Sequence, residues 1–240
     1  MTASTGRLLL AAVSVLAAVA CQDKSKPFQQ PRTPLIFEEA FELGTQIFID
    51  KKTAIFQSVT LGEIHLPEGK IVVGDPKIEG QIPFRTRFPK GRFPVQLAVA
   101  YLPERAVNAF LRVRFSDADV DHWRLALRDG QSIKRLHLNE YYGVIADSER
   151  LFVTSAGLYR NLLHYFPNYD AFKELLSTRY NHFSGFSTIP VNADYQVVVL
   201  RSGLGKGVYA AYIGYDKNNQ IAMFLIDFNV IPWWVTDGAP

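Results

Sequence analysis

Cysteine is nearly absent: the 240-residue chain has only Cys21, so no disulfide can form within it, and its stability has to come from burial and backbone pairing. A dominant charge sign is lacking too. The 26 basic and 23 acidic residues are interspersed and leave a formal net charge of +3, which excludes the basic stripe of a nucleic-acid binder. No stretch supplies the roughly 20 apolar residues that a membrane-crossing helix requires. The run Leu8 to Ala20 (LLLAAVSVLAAVA) has 13 residues and is followed by polar sequence. No two of the five histidines, His65, His122, His137, His164 and His182, stand three or four residues apart, so no zinc motif is written locally. The G-x-S-x-G elbow is missing as well. Groups that meet only in the fold, such as a serine or paired carboxylates from distant loops, are not addressed by these absences.

What is present begins with an address. Arg7 precedes the apolar run, and the small residues Ala18, Val19 and Ala20 lead into Cys21. This is the layout of a cleavable export signal. It resembles the bacterial lipobox, in which the cysteine thiol receives a diacylglyceryl group and becomes the mature N-terminus, although Ala18 stands where leucine is more usual. The alternative is an ordinary signal cut near Ala20, leaving Cys21 a free thiol. With Gln22 and not an aspartate next, lipoprotein sorting implies a lipid anchor in the periplasm, on the inner leaflet of the outer membrane. Several acyl chains hold firmly because each buried methylene contributes about 0.8 kcal/mol. Gln22 to Pro34 (QDKSKPFQQPRTP) has linker composition. The expected organisation is residues 1–20 as signal, 21–34 as flexible tether and 35–240 as one globular domain.

The remainder is rich enough in apolar residues to build a core, with 48% hydrophobic and 13% aromatic overall. Ala54 to Gly74 predicts two short strands around a turn at Pro67-Glu68-Gly69, a hairpin signal. Pro83 to Pro94 (PFRTRFPKGRFP) predicts a loop leading into a buried strand, Val95 to Tyr101. Ala109 to Phe115 alternates with period two: Phe110, Arg112 and Arg114 face one way, Leu111, Val113 and Phe115 the other. Trp123, Leu125 and Leu127 repeat the pattern, which suggests a meander. Helical spacing is confined to Ser155–Phe166 and, more clearly, Tyr169–Tyr180. Strands return at Tyr195–Arg201, Gly207–Tyr215 and Ile221–Ile231, with a turn at Asp216-Lys217-Asn218-Asn219, where both asparagines tolerate positive φ. The expected fold class is mainly β (α+β): a single domain of antiparallel sheets, sandwich-like, with about two inserted helices.

Several landmarks in this order resemble a bacterial family described only as a domain of unknown function. They are Leu66 to Pro76 (LPEGKIVVGDP), Gly91 to Leu97 (GRFPVQL), Val113 to Asp117 (VRFSD) with Trp123 to Leu127 (WRLAL), and Gly205 to Tyr209 (GKGVY) with Gly214-Tyr215-Asp216 and Asp227-Phe228. The resemblance covers the chain from about Leu61 to Ile231 and implies the fold more than an activity. The chain departs from the family pattern in two places. Lys206 stands where the pattern has an aspartate between glycines, and Ile145 to Arg150 (IADSER) replaces an acidic, cysteine-containing stretch. If those stretches form an acidic site in relatives, the resemblance implies that this chain lacks it.

Motifs of the kinds that hold a cofactor or metal fall short. Asp117, Asp119 and Asp121 resemble the start of a calcium loop, but its sixth and twelfth positions are His122 and Arg128, not glycine and glutamate. Gly203, Gly205 and Gly207 around Lys206 lack the following helix of a phosphate loop, and a glycine-rich connection between strands accounts for them. No cofactor, metal or catalytic residue is assigned. Aromatic and basic side chains do cluster in Phe84, Arg85, Arg87, Phe88, Lys90, Arg92 and Phe93. Such a loop suits an acidic partner, or else it is a solvated turn with its phenylalanines folded into the core. Leu204 and Lys206 are added as candidate partner contacts. Trp233 and Trp234 are a third candidate, since tryptophans anchor interfaces, with packing back onto the domain as the commoner outcome.

Lipobox, compact domain, aromatic-rich loops and no catalytic spacing together suggest a binding protein that is not an enzyme. The specific expectation is an immunity protein, resembling those of type VI secretion, that occludes a secreted effector degrading lipid or cell wall. The alternatives are an envelope hydrolase or transferase whose site assembles in the fold, and a structural envelope lipoprotein.

Overall fold

The computed structural model of the chain describes residues 35–49, 52–78, 80–131, 143–165, 170, 174, 185–190 and 196–233. The apolar run, Cys21, the tether and Trp234 lie outside the described residues. So does the helix expected over Tyr169–Tyr180, apart from Asp170 and Glu174, which are helical.

In chain order the elements are α1 (Ile36–Glu39), β1 (Gln46–Ile49), β2 (Lys52–Leu66), β3 (Ile71–Gly74), β4 (Gly91–Tyr101), β5 (Ala106–Arg114), β6 (His122–Leu125), β7 (Val144–Ala146), β8 (Arg150–Ser155), α2 (Ala156–Tyr165), β9 (Phe186–Pro190), β10 (Gln196–Arg201), β11 (Gly207–Tyr209), β12 (Ala211–Tyr215) and β13 (Ile221–Asp227). A seven-stranded sheet runs β1-β2-β4-β5-β13-β12-β6, a four-stranded sheet runs β3-β8-β10-β9, and β11 pairs with β7. Every pairing is antiparallel. The expected class, β-dominated and antiparallel, is the fold observed, with two helices, α1 and α2, among the described elements.

Period-two alternation decides which face each strand gives to which core. Leu97, Leu111, Val113, Phe224 and Ile226 of the large sheet meet Ile71, Val73, Leu151, Val153, Val198 and Leu200 of the small one in the main core. The intervening residues of the small sheet, Val72, Phe152, Val197 and Val199, point outward and are covered by Leu158 and Leu162 of α2. On the outer face of the large sheet, Phe56, Ala98, Phe110 and Leu225 are covered by Ile36 and Phe37 of α1 and by Ile231. Arg112 lies on that same face, its guanidinium 4.0 Å from the ring centre of Phe41 and its Nε donating to Gln96 Oε1 at 2.8 Å. The alternation read over Ala109–Phe115 is therefore correct, with an apolar layer on each side.

Five expectations need correction. The turn at Pro67–Gly69 exists, but β2 and β3 are not a hairpin: β2 pairs with β4 and β3 with β8. All four residues of β3 are buried, so it needs cover on both faces, which the small sheet offers. The loop over Pro83–Pro94 ends earlier, because β4 begins at Gly91. Pro94 is tolerated there since it faces Glu63 of β2 while β5 pairs only from Val95 onward. The meander is interrupted, with β13 and β12 lying between β5 and β6. Gly207–Tyr215 divides at Ala210 into β11 and β12, which belong to different sheets, and the last strand stops at Asp227, short of Ile231.

Two devices tie the layers. A bulge in β2 between Thr60 and Gly62 breaks the register with β4, and there Thr188 Oγ1 donates to Leu61 O and Gln196 Nε2 to Glu63 O. At the end of β3, the fully buried Asp75 accepts from the backbone N–H of Lys77 (2.7 Å) and of Ser148, fastening that strand to the β7–β8 connection. A buried carboxylate requires such donors.

Candidate functional site

The loop over residues 83–92 is fastened from beneath at several points. Phe84 is fully buried, forms an isolated bridge with Arg128, and packs edge-on against Phe224 with ring centres 4.9 Å apart. Its N–H donates to Ile71 O at 3.0 Å, and the next residue, Arg85, donates its N–H to Leu127 O at 2.9 Å. Phe88 is buried against Phe115 and Phe224. Lys70 Nζ donates to the carbonyls of Phe84 and Arg85, neutralising two acceptors that the irregular backbone leaves over.

The Phe88 N–H donates to Gly69 O at 2.8 Å, which brings the loop against the Pro67–Gly69 turn. Only glycine serves at residue 69: its φ is +64°, and a Cβ there would stand 2.3 Å from Phe88 O. Phe93, half-buried, packs edge-on against Phe115 at 4.9 Å. Of the sequence candidates, then, Phe84 and Phe88 are core residues and Phe93 is a partial one.

Arg85, Arg87 and Lys90 of the loop are exposed, as is Arg92 at the start of β4. Arg85 is braced: Nη2 donates to Gln131 O at 2.7 Å, and Nε lies 3.6 Å from Asp129 Oδ1. Beneath them, Arg128 donates from Nη2 to Val73 O at 2.7 Å and from Nη1 to Gln81 Oε1 at 3.3 Å, its guanidinium 5.7 Å from the Phe84 ring centre. Burial pulls its pKa below the ordinary arginine value. The sequence pattern singled out the surface cations but not Arg128, the support under them; the only signal for it is an arginine amid apolar residues.

The Ser202–Gly207 turn is organised differently. Ser202 Oγ donates to Gly205 O at 2.8 Å, Tyr209 Oη to the same carbonyl at 2.6 Å, and Gly205 N–H to Ser202 O at 2.8 Å. Gly203, with φ +39°, has no room for a side chain: a Cβ would lie 2.7 Å from the Cβ of Phe228. Leu204 stands at the surface, 51% exposed. Lys206 Nζ is 3.7 Å from Asp147 Oδ1, and Arg201 Nη2 is 3.8 Å from Glu149 Oε2. Since β11 pairs with β7, the stretch around Lys206 and the stretch Ile145 to Arg150 are neighbours in space, a proximity that sequence spacing did not reveal. Basic and acidic side chains alternate across that neighbourhood in two exposed ion pairs.

Trp233 packs back on the domain. Its Nε1 donates to Asp227 Oδ2 at 2.6 Å, and its ring meets Phe37 and Tyr212 edge-on. Asp227 Oδ1 accepts from Asn229 N–H at 2.8 Å. Burial pushes the Asp227 carboxyl up to about 6, with the two N–H donors pulling the other way. The acidic turn is dispersed: Asp117 pairs with Arg114 at 3.1 Å, and Asp121 Oδ2 lies 3.1 Å from His122 Nδ1. Among the described residues no three His, Cys, Asp or Glu side chains are grouped to hold a metal ion, and no helix is long and apolar enough to cross a membrane.

A family model described as a protein of unknown function, DUF4241, matches residues 64–226. No curated protein and no solved structure matches the chain.

Proposed function

The chain belongs to the DUF4241 family, whose members carry no assigned activity by that description, and from this premise we propose a function in binding: an envelope immunity or inhibitor protein that is not an enzyme. Anchored to lipid through Cys21 and facing the periplasm, it occludes a secreted antibacterial effector that degrades lipid or cell wall, of the kind delivered by type VI secretion. The observation that carries this reading is the fastened cationic loop. With Phe84 and Phe88 sunk in the core and Lys70 bound to two loop carbonyls, the backbone that carries Arg85, Arg87 and Lys90 is held in place, and the Arg85 side chain is itself braced by Gln131 O and Asp129. A partner then avoids the cost of ordering the loop, and an acidic rim around a catalytic cleft is its natural complement. Leu204, beside the Lys206–Asp147 pair, adds an exposed apolar contact.

Two buried carboxylates, Asp75 and Asp227, are both engaged by backbone or indole N–H donors that fasten the fold. The test is co-expression with the secreted-effector genes that neighbour this one, exported to the periplasm. Growth rescue together with a co-purifying complex is the expected result. A complete set of neighbours that neither bind nor are neutralised would sink the proposal.

A further inference from the structure

Among the described residues Arg112 is the one buried arginine, 8% exposed, and its guanidinium is only partly answered. It stands in β5 between Gln96 of β4 and Leu225 of β13. With Nε bonded to Gln96 Oε1 and the Phe41 ring against its face, the guanidinium fork is held in one orientation. Neither Nη1 nor Nη2 donates a hydrogen bond to a described residue, and both keep a small opening to solvent. Glu38 and Glu42 act on Arg112 through space without reaching ion-pairing distance. The Glu38 carboxylate accepts from the Val120 N–H at 3.3 Å, and that of Glu42 has no hydrogen-bond or ion-pair partner among the described residues. Other cations are treated differently. Arg128 spends both Nη groups on Val73 O and Gln81 Oε1, and Arg114, two residues from Arg112, pairs with Asp117 at 3.1 Å. Burial pulls the Arg112 pKa down to about 10, with Arg114 adding to the effect and the two glutamates opposing it. A buried charge without a close counter-ion costs stability, and a well-packed apolar side chain of that volume would serve the fold as well or better. Such a departure from the local rule marks a place where something besides stability is served.

We propose that Arg112 and Glu42 are the two ends of a binding site for a small zwitterion of the amino-acid class, a ligand with a carboxylate and an ammonium group on one short chain. The carboxylate lies in the plane of the Arg112 fork and accepts from Nη1 and Nη2, the paired geometry that a planar guanidinium offers. The ammonium donates to Glu42. Gln96 adds a donor beside them: its Oε1 is committed to Arg112, and its Nε2 makes no hydrogen bond to a described residue. A simple anion is the poorer fit, because it meets the fields of Glu38 and Glu42 along with that of Arg112. A zwitterion turns Glu42 from a repulsion into a contact. A simple cation is refused by Arg112. Little ordering is required of the protein, since Phe41 and Gln96 already set the fork. This inference uses neither the cationic loop nor the lipid anchor and does not depend on the inhibitor reading.

The probes are glycine, β-alanine and γ-aminobutyrate, in which the two charges stand progressively further apart, with acetate and methylammonium as single-charge controls. Each is titrated into the full chain as isolated from its host while NMR follows the Arg112 Nε–Hε and Gln96 side-chain amide resonances. The expected result is a saturable shift with at least one zwitterion, with Kd on the order of 1 mM. Acetate binds about tenfold more weakly, and methylammonium gives no shift. Arg112→Lys keeps the charge and loses the fork, so binding read at Gln96 falls by about tenfold or more. Glu42→Gln weakens the zwitterion and strengthens acetate, most at low salt, a crossover that a packing defect does not produce. Arg112→Met, which removes the uncompensated charge, melts no lower than the parent in the absence of ligand. Three results each overturn the proposal: no saturable shift with any of the zwitterions up to about 100 mM, acetate binding as tightly as they do, or an Arg112→Met chain that melts well below the parent, which would show the guanidinium to be kept for packing.

Discussion

The loop over residues 83–92 sinks its phenylalanines and turns its cations to solvent, whereas the turn over residues 202–207 folds its hydroxyls and carbonyls onto one another and leaves Leu204 at the apex. Both were candidate contact sites in the sequence, and both contain glycine and a basic residue. In the loop the backbone is satisfied from outside by Lys70, Gly69, Ile71 and Leu127, and the cations stand at the surface. In the turn the Ser202 hydroxyl, the Tyr209 hydroxyl and the Gly205 N–H are spent on Gly205 O and Ser202 O, so these donors are turned inward. A glycine-rich segment becomes an anion site only when its N–H groups are left pointing outward.

The contrast is broken most severely from beneath the loop. Phe84→Ala removes the anchor against Phe224 and is expected to cost about 3–5 kcal/mol in urea unfolding, with loss of the cationic arrangement. Leu204→Ala at the apex of the turn should stay within about 0.5 kcal/mol of the parent.

A pH term sharpens the difference, because it lies under the turn and not under the loop. Asp227 precedes Phe228, on which Gly203 rests, and its carboxyl has a folded pKa of about 6 against an ordinary 3.8. A raised acid is one whose folded state prefers the proton. Its stabilising contribution is complete below the ordinary value and is lost as pH rises through about 6, by roughly 3 kcal/mol. The difference between parent and Asp227→Asn in denaturant midpoint, followed from acid to neutral pH, should follow that curve. A difference independent of pH removes Asp227 as its source.

Gly203→Ala tests the turn's packing and should cost about 2 kcal/mol, since it imposes both a positive φ on alanine and a contact with Phe228. Thermal unfolding reads this directly. The smallest effect on stability belongs to the loop's surface: Arg87→Glu with Lys90→Glu should shift unfolding by less than about 0.5 kcal/mol. The same pair should sharply slow association with an acidic partner, measured by surface binding at two salt concentrations.

Much of the fold was legible because alternation is local. Leu111, Val113 and Phe115 against Phe110, Arg112 and Arg114 identify a strand with two distinct faces, and three-four spacing over Ser155–Phe166 identifies α2. The partner of a strand is not local. Nothing in Ile71–Gly74 says that it joins β8 in place of β2, beyond its being apolar at every position but the glycine. The four-residue α1 is too short to show a period. Within the candidate site, the division of Phe84 and Phe88 from Arg85, Arg87 and Lys90 follows polarity, yet the prolines suppress the alternation that would have announced it. Trp233 is drawn inward by Asp227, six residues earlier, and a tryptophan near a chain end gives no sign of such a partner.

Phe37 touches Phe110, Trp123, Tyr212 and Trp233, so the outer face of the large sheet is closed by aromatic residues from nearly two hundred positions apart. During synthesis Phe37 emerges early and then waits for almost every other strand before its last neighbour arrives. That layer is consequently completed late, and until residue 233 has left the ribosome the nascent chain shows a greasy surface on which a chaperone can hold it unfolded.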